Sequence, residues 1–381
     1  MQASDVCTPT KSEYGTIFVA IELSQRTWLV TIHSPDRDRF SRHKLEGGDH
    51  VGLLGLIESI RSRAARRLGG MPRVVSCYEA GYDGFWLHRL LTAAGITNYV
   101  FDPGSIPVEQ RARRSKTDRI DGEGLLRTLM AFVRGEPRVV RIVRVPTIEQ
   151  EDARRANRER DRLIKEQTAH TNRIKALLRL HGIGAGDPRR ADWLRWLQDQ
   201  RDRQGCPLPP NVMAELAREH ARLMLVRQQL AELEQAARAA SFAPAASIKN
   251  RDLLLRFNGI GQVFATTLAN ELFYKEFRNR RELGSYVGLA PSPWRSGTIE
   301  RDQGISKAGN PRARVKAIEL AWLWLLHQPD SALSRWYRER AANAGKRVRR
   351  IMIVALARKL MVALWRYVTS GLVPEGALIK T

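Results

Sequence analysis

The sequence predicts a protein in three parts: a mixed α/β domain over residues 14–145, a long helical coiled-coil middle over 146–245, and a mainly α C-terminal domain over 246–381. Three observations carry that division. Short β-branched runs alternate with helical patterns at the start, charged stretches nearly free of Gly and Pro fill the middle, and apolar residues return at helical spacing around a Gly-, Pro- and Ser-rich interval. A chain of 381 residues is long enough for two or three domains with real cores.

Residues 16–23 and 27–33 are β-branched and apolar with a short polar turn between them, which predicts a hairpin, and 39–45 reads as a weaker third strand. Residues 51–68 carry Leu53, Leu54, Ile57 and Ile60 at helical spacing. A Val-rich strand over 73–78, a helix over 83–94, a strand over 98–101 and a helix over 117–134 follow, the last with Thr117 as N-cap. Three strands followed by helix, strand, helix, strand and helix is the order of an RNase H-like domain.

Acidic residues fall at the ends of these elements. Glu22 lies at the end of the first strand and Glu79 at the end of the fourth, while Asp118 and Asp121 stand three apart on one face of a helical turn. Such a set could hold two Mg²⁺ ions, because Mg²⁺ takes oxygen ligands and a metal pair stabilises both oxygens exchanged in phosphoryl transfer. Taken singly, each acid reads as well as an isolated surface carboxylate. Just before the helical pair, Arg111, Arg113, Arg114 and Lys116 could grip a phosphate backbone; the alternative is a solvated loop.

The middle part predicts two long helices, 149–180 and 212–240, joined by a Gly-, Pro- and Trp-containing segment over 182–211. In the second, Leu216, Leu223, Val226, Leu230 and Leu233 are spaced 7, 3, 4 and 3, the spacing of a coiled-coil seam. The two helices pair with each other or with a second subunit.

Further on, Phe257-Asn258-Gly259-Ile260-Gly261 precedes an Ala/Leu-rich helix over 264–272 and looks like a helix-hairpin-helix. There the amides of Gly259 and Gly261 would approach a DNA phosphate, though a turn that packs two helices fits the same residues. The interval 286–310 is dense in Gly, Pro and Ser and predicts a loop. It holds Ser296 and three cations, Arg295, Arg301 and Lys307, and it ends at Asn310-Pro311, the N-cap and first position of a helix over 311–327. A hydroxyl among cations and a helix N-terminus suits attack on a phosphate; a polar turn whose serine only caps is the other reading. A last helix covers 345–370, and Trp322, Trp324, Trp336 and Trp365 are assigned to the core.

Lys and Arg total 64 against 40 Asp and Glu, a formal net charge of +24. A polyanion is the expected partner, and nucleic acid fits better than a membrane surface. The apolar run 321–326 is too short to span a bilayer, 351–368 is broken by Arg358 and Lys359, and the polar residues 1–13 predict no signal peptide. Cys7, Cys77 and Cys206 lie far apart with no Cys-x-x-Cys spacing, which predicts neither a zinc site nor a disulfide framework and fits a reducing cytoplasm.

Several motifs converge. Val19-Ala20-Ile21-Glu22-Leu23-Ser24, Tyr78-Glu79-Ala80-Gly81 and Lys116-Thr117-Asp118-Arg119-Ile120-Asp121 lie in the first half of the chain. Asn258-Gly259-Ile260-Gly261, Tyr286 to Pro291, Arg295-Ser296-Gly297 and Gln303 to Asn310 lie in the second. In combination the sequence resembles the DEDD transposases of the insertion sequence 110/1111 family, recombinases of bacterial mobile elements, and the last motif looks closest to the 1111 branch. The resemblance covers about residues 17–314 and implies a RuvC-like domain joined through a coiled coil to a domain with a nucleophilic serine. Carried over by position, the tetrad is Glu22, Glu79, Asp118 and Asp121, the serine is Ser296, and Arg295, Arg301 and Lys307 are candidate charge clamps. One position departs from the pattern: the family's first acid is usually Asp, and here it is Glu22.

The resemblance further implies Mg²⁺-dependent strand exchange on DNA through a phosphoserine link, guided by a noncoding RNA that the element encodes. It implies a homo-oligomer, a dimer or a pair of dimers, in the bacterial cytoplasm and on the nucleoid when bound to DNA. Two other functions fit the same residues. One is a hydrolytic RuvC-like nuclease in which Ser296 is structural, the other a nucleic-acid-binding descendant without catalysis.

Overall fold

The computed structural model describes residues 15–106, 118–136, 138–184, 186–239, 243–296 and 299–380; at 118–121, 237–239, 294–296 and 299–302 it describes the backbone alone. The chain divides into two units, Met1–Val145 and Pro146–Thr381.

The first unit is built on a sheet of β1 (Thr16–Glu22), β2 (Thr27–His33), β3 (Ser41–Glu46), β4 (Arg73–Glu79) and β5 (Thr97–Phe101). Its order is β3-β2-β1-β4-β5. The first three strands run antiparallel, and β4 and β5 add in parallel to β1. Helix α1 (His50–Leu68) follows β3, α2 (Trp86–Ala93) follows β4, and α3 (Asp118–Val133) follows β5. Alternation along the strands sorts side chains to two faces. Ile17, Val19 and Ile21 pack with Leu53, Ile57, Leu87 and Leu91 of α1 and α2. Ala20, Val75, Cys77 and Phe101 pack under Leu125, Leu126 and Leu129 of α3. Apolar residues on both faces explain why β1 and β4 read as nearly continuous hydrophobic runs. The helix expected over 83–94 begins only at Trp86, because the Tyr78 hydroxyl donates to the Gly84 carbonyl at 3.2 Å and holds the preceding residues in a turn.

In the second unit, the single helix expected over 149–180 is two, α4 (Ile148–Asp152) and α5 (Arg155–Leu180). The break has a physical cause. The Ala153 carbonyl accepts from Asn270 Nδ2 at 2.8 Å, and the buried Arg154 side chain donates from Nε to the Asn270 carbonyl at 3.1 Å, so the turn is held to Asn270 while the Arg154 carbonyl starts the next helix by accepting from the Arg158 N–H at 3.1 Å. After the short α6 (Trp193–Gln198), α7 (Pro210–Ala239) returns along α5. Rungs at Arg160–Glu234, His170–Glu219 and Arg173–Glu215 show rising numbers on α5 meeting falling numbers on α7, so the pair is antiparallel and lies within one chain. Ile174, Leu177 and Leu178 meet Leu216 and Leu223 in its core, capped by Trp193 and Leu197 of α6. Val226 is buried, while Leu230 and Leu233 are half-buried.

The remaining core joins α8 (Ala245–Leu255), α9 (Gln262–Glu271), α10 (Arg280–Tyr286), α11 (Pro311–His327), α12 (Ala332–Ala341) and α13 (Lys346–Ser370). Trp324 is fully buried and donates to Ser331 Oγ at 2.9 Å. Trp336 and Trp365 are half-buried against this core, but Trp322 is 49% exposed, contrary to its core assignment. It sits two residues from both Leu320 and Trp324, about 200° round the helix from the buried stripe. Among the described residues, no helix is long and apolar enough to cross a membrane.

One carboxylate is buried in this apolar setting. Glu271, at the end of α9, is 1% exposed and accepts from Arg158 of α5 through Nε at 2.7 Å and Nη2 at 3.1 Å. Burial alone would raise its pKa, but the Arg158 hydrogen bonds and charge, with help from Asn310, outweigh it and hold the carboxyl below its usual 4.5.

Two outcomes are expected. Leu223→Ala should destabilise the chain by about 2–5 kcal/mol in urea unfolding, whereas Leu225→Ala, on the exposed side of α7, should cost less than about 0.5 kcal/mol. Because the folded pKa of Glu271 is depressed, its contribution is present above the unfolded pKa and lost as pH falls through the folded value. Glu271→Gln should therefore cost about 2–3 kcal/mol at neutral pH, Arg158 being half exposed, and the gap to wild type should close as unfolding is followed down below about pH 4.5.

Candidate active site

The acids of the first unit gather at one end of its sheet. Strands β1 and β4 are parallel neighbours, and their register runs from Thr16–Arg73 to Ile21–Tyr78. Glu22 and Glu79 are each the next residue. Both continue the alternation of the α3 face, Glu22 after Phe18 and Ala20, Glu79 after Val75 and Cys77. Glu22 is half-buried and Glu79 exposed.

Helix α3 begins over the same end. A Cβ on Gly122 would stand 2.7 Å from Thr31 Oγ1 and 3.7 Å from Leu29 Cδ2, so only glycine lets this turn lie so close to β2. Leu29 is the register partner of Glu22, and Thr31 that of Ala20. Glu123 of the same turn pairs with Arg42 of β3. The backbone of Asp118 and Asp121 therefore starts α3 at the edge where Glu22 and Glu79 end their strands; their side chains lie outside the description. A set made only of carboxylates offers hard oxygen donors, which fits Mg²⁺ better than the soft or imidazole sets of zinc and copper. Among the described residues, no three His, Cys, Asp or Glu side chains form a metal-holding group. Arg111, Arg113, Arg114 and Lys116 lie outside the described residues.

In the second unit, the interval expected to be a loop contains a two-stranded antiparallel hairpin, β6 (Pro291–Ser296) and β7 (Ile299–Ile305). Its Pro content argued for a loop, but in a two-stranded ribbon each strand is an edge and can spare an amide. Pro291 and Pro293 also flank the register shift, where the ladder is already interrupted. Ser296 is the last residue of β6 and pairs with Ile299 at the free end of the ribbon. Trp294 pairs with Arg301 and Arg295 with Glu300. Alternation thus puts positions 294, 296, 299 and 301 on one face, with 295 and 300 on the other.

Lys307 and the start of α11 belong to the other end of the hairpin. Ile305 pairs with Pro291, five residues from Ser296, a strand length of about 16 Å. Lys307, with φ 56°, donates its N–H to the Gly288 carbonyl at 3.1 Å. Asn310 caps α11 as expected, its side-chain oxygen accepting from the amides of Arg312 at 3.0 Å and Ala313 at 3.1 Å. So the structure brings Arg295 and Arg301 near Ser296 in the ribbon, and neither Lys307 nor the α11 N-terminus.

The two glycines of the expected helix-hairpin-helix differ from each other. Gly259 joins α8 to α9 with φ 85°, and a Cβ there would stand 2.7 Å from that of His327, so helix packing accounts for it. Gly261 is exposed, N-caps α9, and would meet nothing within 4 Å. Sequence reasoning missed the polar group behind the hairpin, Arg158, Glu271 and Tyr286; its one signal was a lone acid in the apolar run from Ala265 to Phe273.

The family model for the IS116/IS110/IS902 transposases matches residues 251–338, a span that includes the whole hairpin. The chain is 46% identical to y4rJ of Sinorhizobium fredii, a protein bearing a transposase's name, over 98% of this chain and 97% of the relative. It is 27% identical to the transposase for insertion sequence element IS1328 of Yersinia enterocolitica, over 82% of this chain and 89% of the relative. With the transposase for IS1111A of Coxiella burnetii it shares 26% identity over 74% of each. A near full-length relative at 46% identity, together with the matching family model, establishes that this chain belongs to the insertion sequence 110/1111 family of transposases.

Proposed function

We propose that the chain cuts and rejoins DNA strands as the transposase of a bacterial insertion sequence, with Ser296 as the nucleophile and Glu22, Glu79, Asp118 and Asp121 as a Mg²⁺-binding tetrad. The observation that carries this reading is the position of Ser296 at the free end of a hairpin inside the span matched by the transposase family model. A serine there ends β6 of a two-stranded ribbon, with the Arg301 position on its own face. The strand order and faces of the first unit support an RNase H-like domain, and the antiparallel α5–α7 pair supports the coiled coil.

In the first step the Ser296 oxygen forms a bond to a DNA phosphorus while one of its phosphodiester oxygens leaves and takes up a proton. In the second, the hydroxyl of another strand attacks that phosphorus, the serine oxygen leaves, and one phosphodiester replaces another with no water consumed. Arg301 is the better clamp for charge on the phosphoryl oxygens, since Arg295 belongs to the opposite face with Glu300. Mg²⁺ bound by the four acids would neutralise charge on the transferring phosphoryl group and favour an ionised nucleophile. The extra methylene of Glu22 relative to the family's usual Asp lengthens one arm of that set but keeps its two oxygens. The excess of 24 positive charges supports the binding of DNA together with an element-encoded guide RNA.

The direct test incubates the protein with Mg²⁺, element-end DNA and the element's noncoding RNA, then separates products under denaturing conditions. A protein–DNA adduct is expected with wild type and none with Ser296→Ala, while DNA binding by the variant stays within about twofold. Omitting the RNA should abolish site choice. Cleaved DNA without an adduct would instead identify a hydrolytic nuclease, and binding without any product a non-catalytic descendant. In the same assay Arg301→Ala should slow adduct formation about 100- to 1000-fold, and Arg295→Ala by less than about tenfold.

A further inference from the structure

Both ends of the serine hairpin return to one buried residue, Glu271, the Tyr286 end to its main-chain carbonyl and the Asn310 end to that carbonyl and to the carboxylate. Tyr286 closes α10 just before β6, and Asn310 opens α11 just after β7. The Asn310 N–H donates to the Tyr286 carbonyl at 2.7 Å, which ties the two ends to each other. A Cβ on Gly309, φ 89°, would stand 2.2 Å from that same carbonyl, so this base leaves no room for another path. Each end is then tied to Glu271. The Tyr286 hydroxyl donates to the Glu271 carbonyl at 3.2 Å, and Asn310 Nδ2 donates to that carbonyl and to Glu271 Oε2, both at 3.1 Å. On its far side the carboxylate takes the two bonds from Arg158 of α5.

Stability alone does not call for this arrangement. Well-packed apolar residues in place of a buried ion pair are commonly as stable or more so, because two charges must be desolvated to make the pair. What the charges add is direction, since a bidentate guanidinium–carboxylate contact fixes an angle that apolar packing does not.

We propose that Glu271 is the positioning residue of the serine hairpin: held by Arg158 and holding Asn310 and Tyr286, it sets the direction in which β6 and β7 leave the helical core relative to α5. Glu271 touches no reacting atom in this scheme and acts through the hairpin's two ends. The catalytic consequence rests on Ser296 being the nucleophile, whereas the structural consequence does not.

The test uses the full-length protein, Glu271→Gln, and Arg158→Gln as a second variant that leaves the buried position intact. Hydrogen–deuterium exchange reports on the hairpin directly, and adduct formation reports on its use. Amides of 291–305 should open locally about tenfold more often in both variants, while those of α9 and α13 should speed up only as far as the loss of global stability in urea unfolding accounts for. Adduct formation should slow about tenfold or more at saturating DNA, with KM for DNA unchanged. Rescue by Arg158→Lys, which keeps one charged donor, should be partial. Unchanged hairpin exchange in both variants overturns the proposal, and so does a hairpin change that the loss of global stability alone accounts for, which would mean a structural role only. Faster hairpin exchange with wild-type adduct kinetics also overturns it. If the wild type forms no adduct at all, the serine reading falls, and the exchange pattern by itself decides whether Glu271 positions the hairpin.

Discussion

A carboxylate taken out of water must give up its charge or be surrounded by groups that compensate it, and Glu271 is compensated. The hydrogen bonds that do so come from Arg158 of α5 and from Asn310 at the start of α11, so residues 113 and 39 positions away in sequence have to arrive together. Around them, Arg154 lies over the Tyr274 ring at 4.0 Å, and Asn270 bonds the turn between α4 and α5. Burial pushes the pKa of the Tyr286 phenol well up, so that it stays a hydrogen-bond donor. The apolar core formed by α8 to α13 supplies cohesion without preference for angle. The polar group supplies the angle, and the long helices and the hairpin both take their bearings from it.

The first unit uses a different device. Parallel strands end together, so the residues that follow the last buried position of β1 and β4 emerge side by side. Crevices outside the carboxyl ends of strands are where open α/β sheets bind ligands. Here the close approach at Gly122 brings the first turn of α3 over the same edge.

How much of this was legible follows from the kind of signal each part leaves. Glu22 and Glu79 could be found because β-branched runs mark the strands and an acid at the end of such a run stands out. Asn310-Pro311 announced α11 through capping chemistry that depends on two neighbouring residues only. The hairpin was hidden because proline density, which argues against central strands, is compatible with a ribbon that has no central strand. The break between α4 and α5 was hidden for a related reason. Ala153 and Arg154 are acceptable helix formers, and only contacts with Asn270, more than a hundred residues on, turn them outward. Local chemistry was readable and long-range competition for the same backbone groups was not. Glu271 falls between, visible as an odd acid in an apolar run but without a hint of its partners.

The antiparallel pair of α5 and α7 is also a lever. Arg158 sits in the first turn of α5, and Leu180, 22 residues on, lies about 33 Å away at the rise of an α-helix. A rotation of about 5° around Arg158 would carry Leu180 about 3 Å, nearly the spacing of successive residues in a strand. Conversely, a partner that holds the far tip to within an ångström fixes the angle at the near end to about two degrees. The tip around α6 thus lies at the long radius of that geometry, far from the end of α5 that meets Glu271.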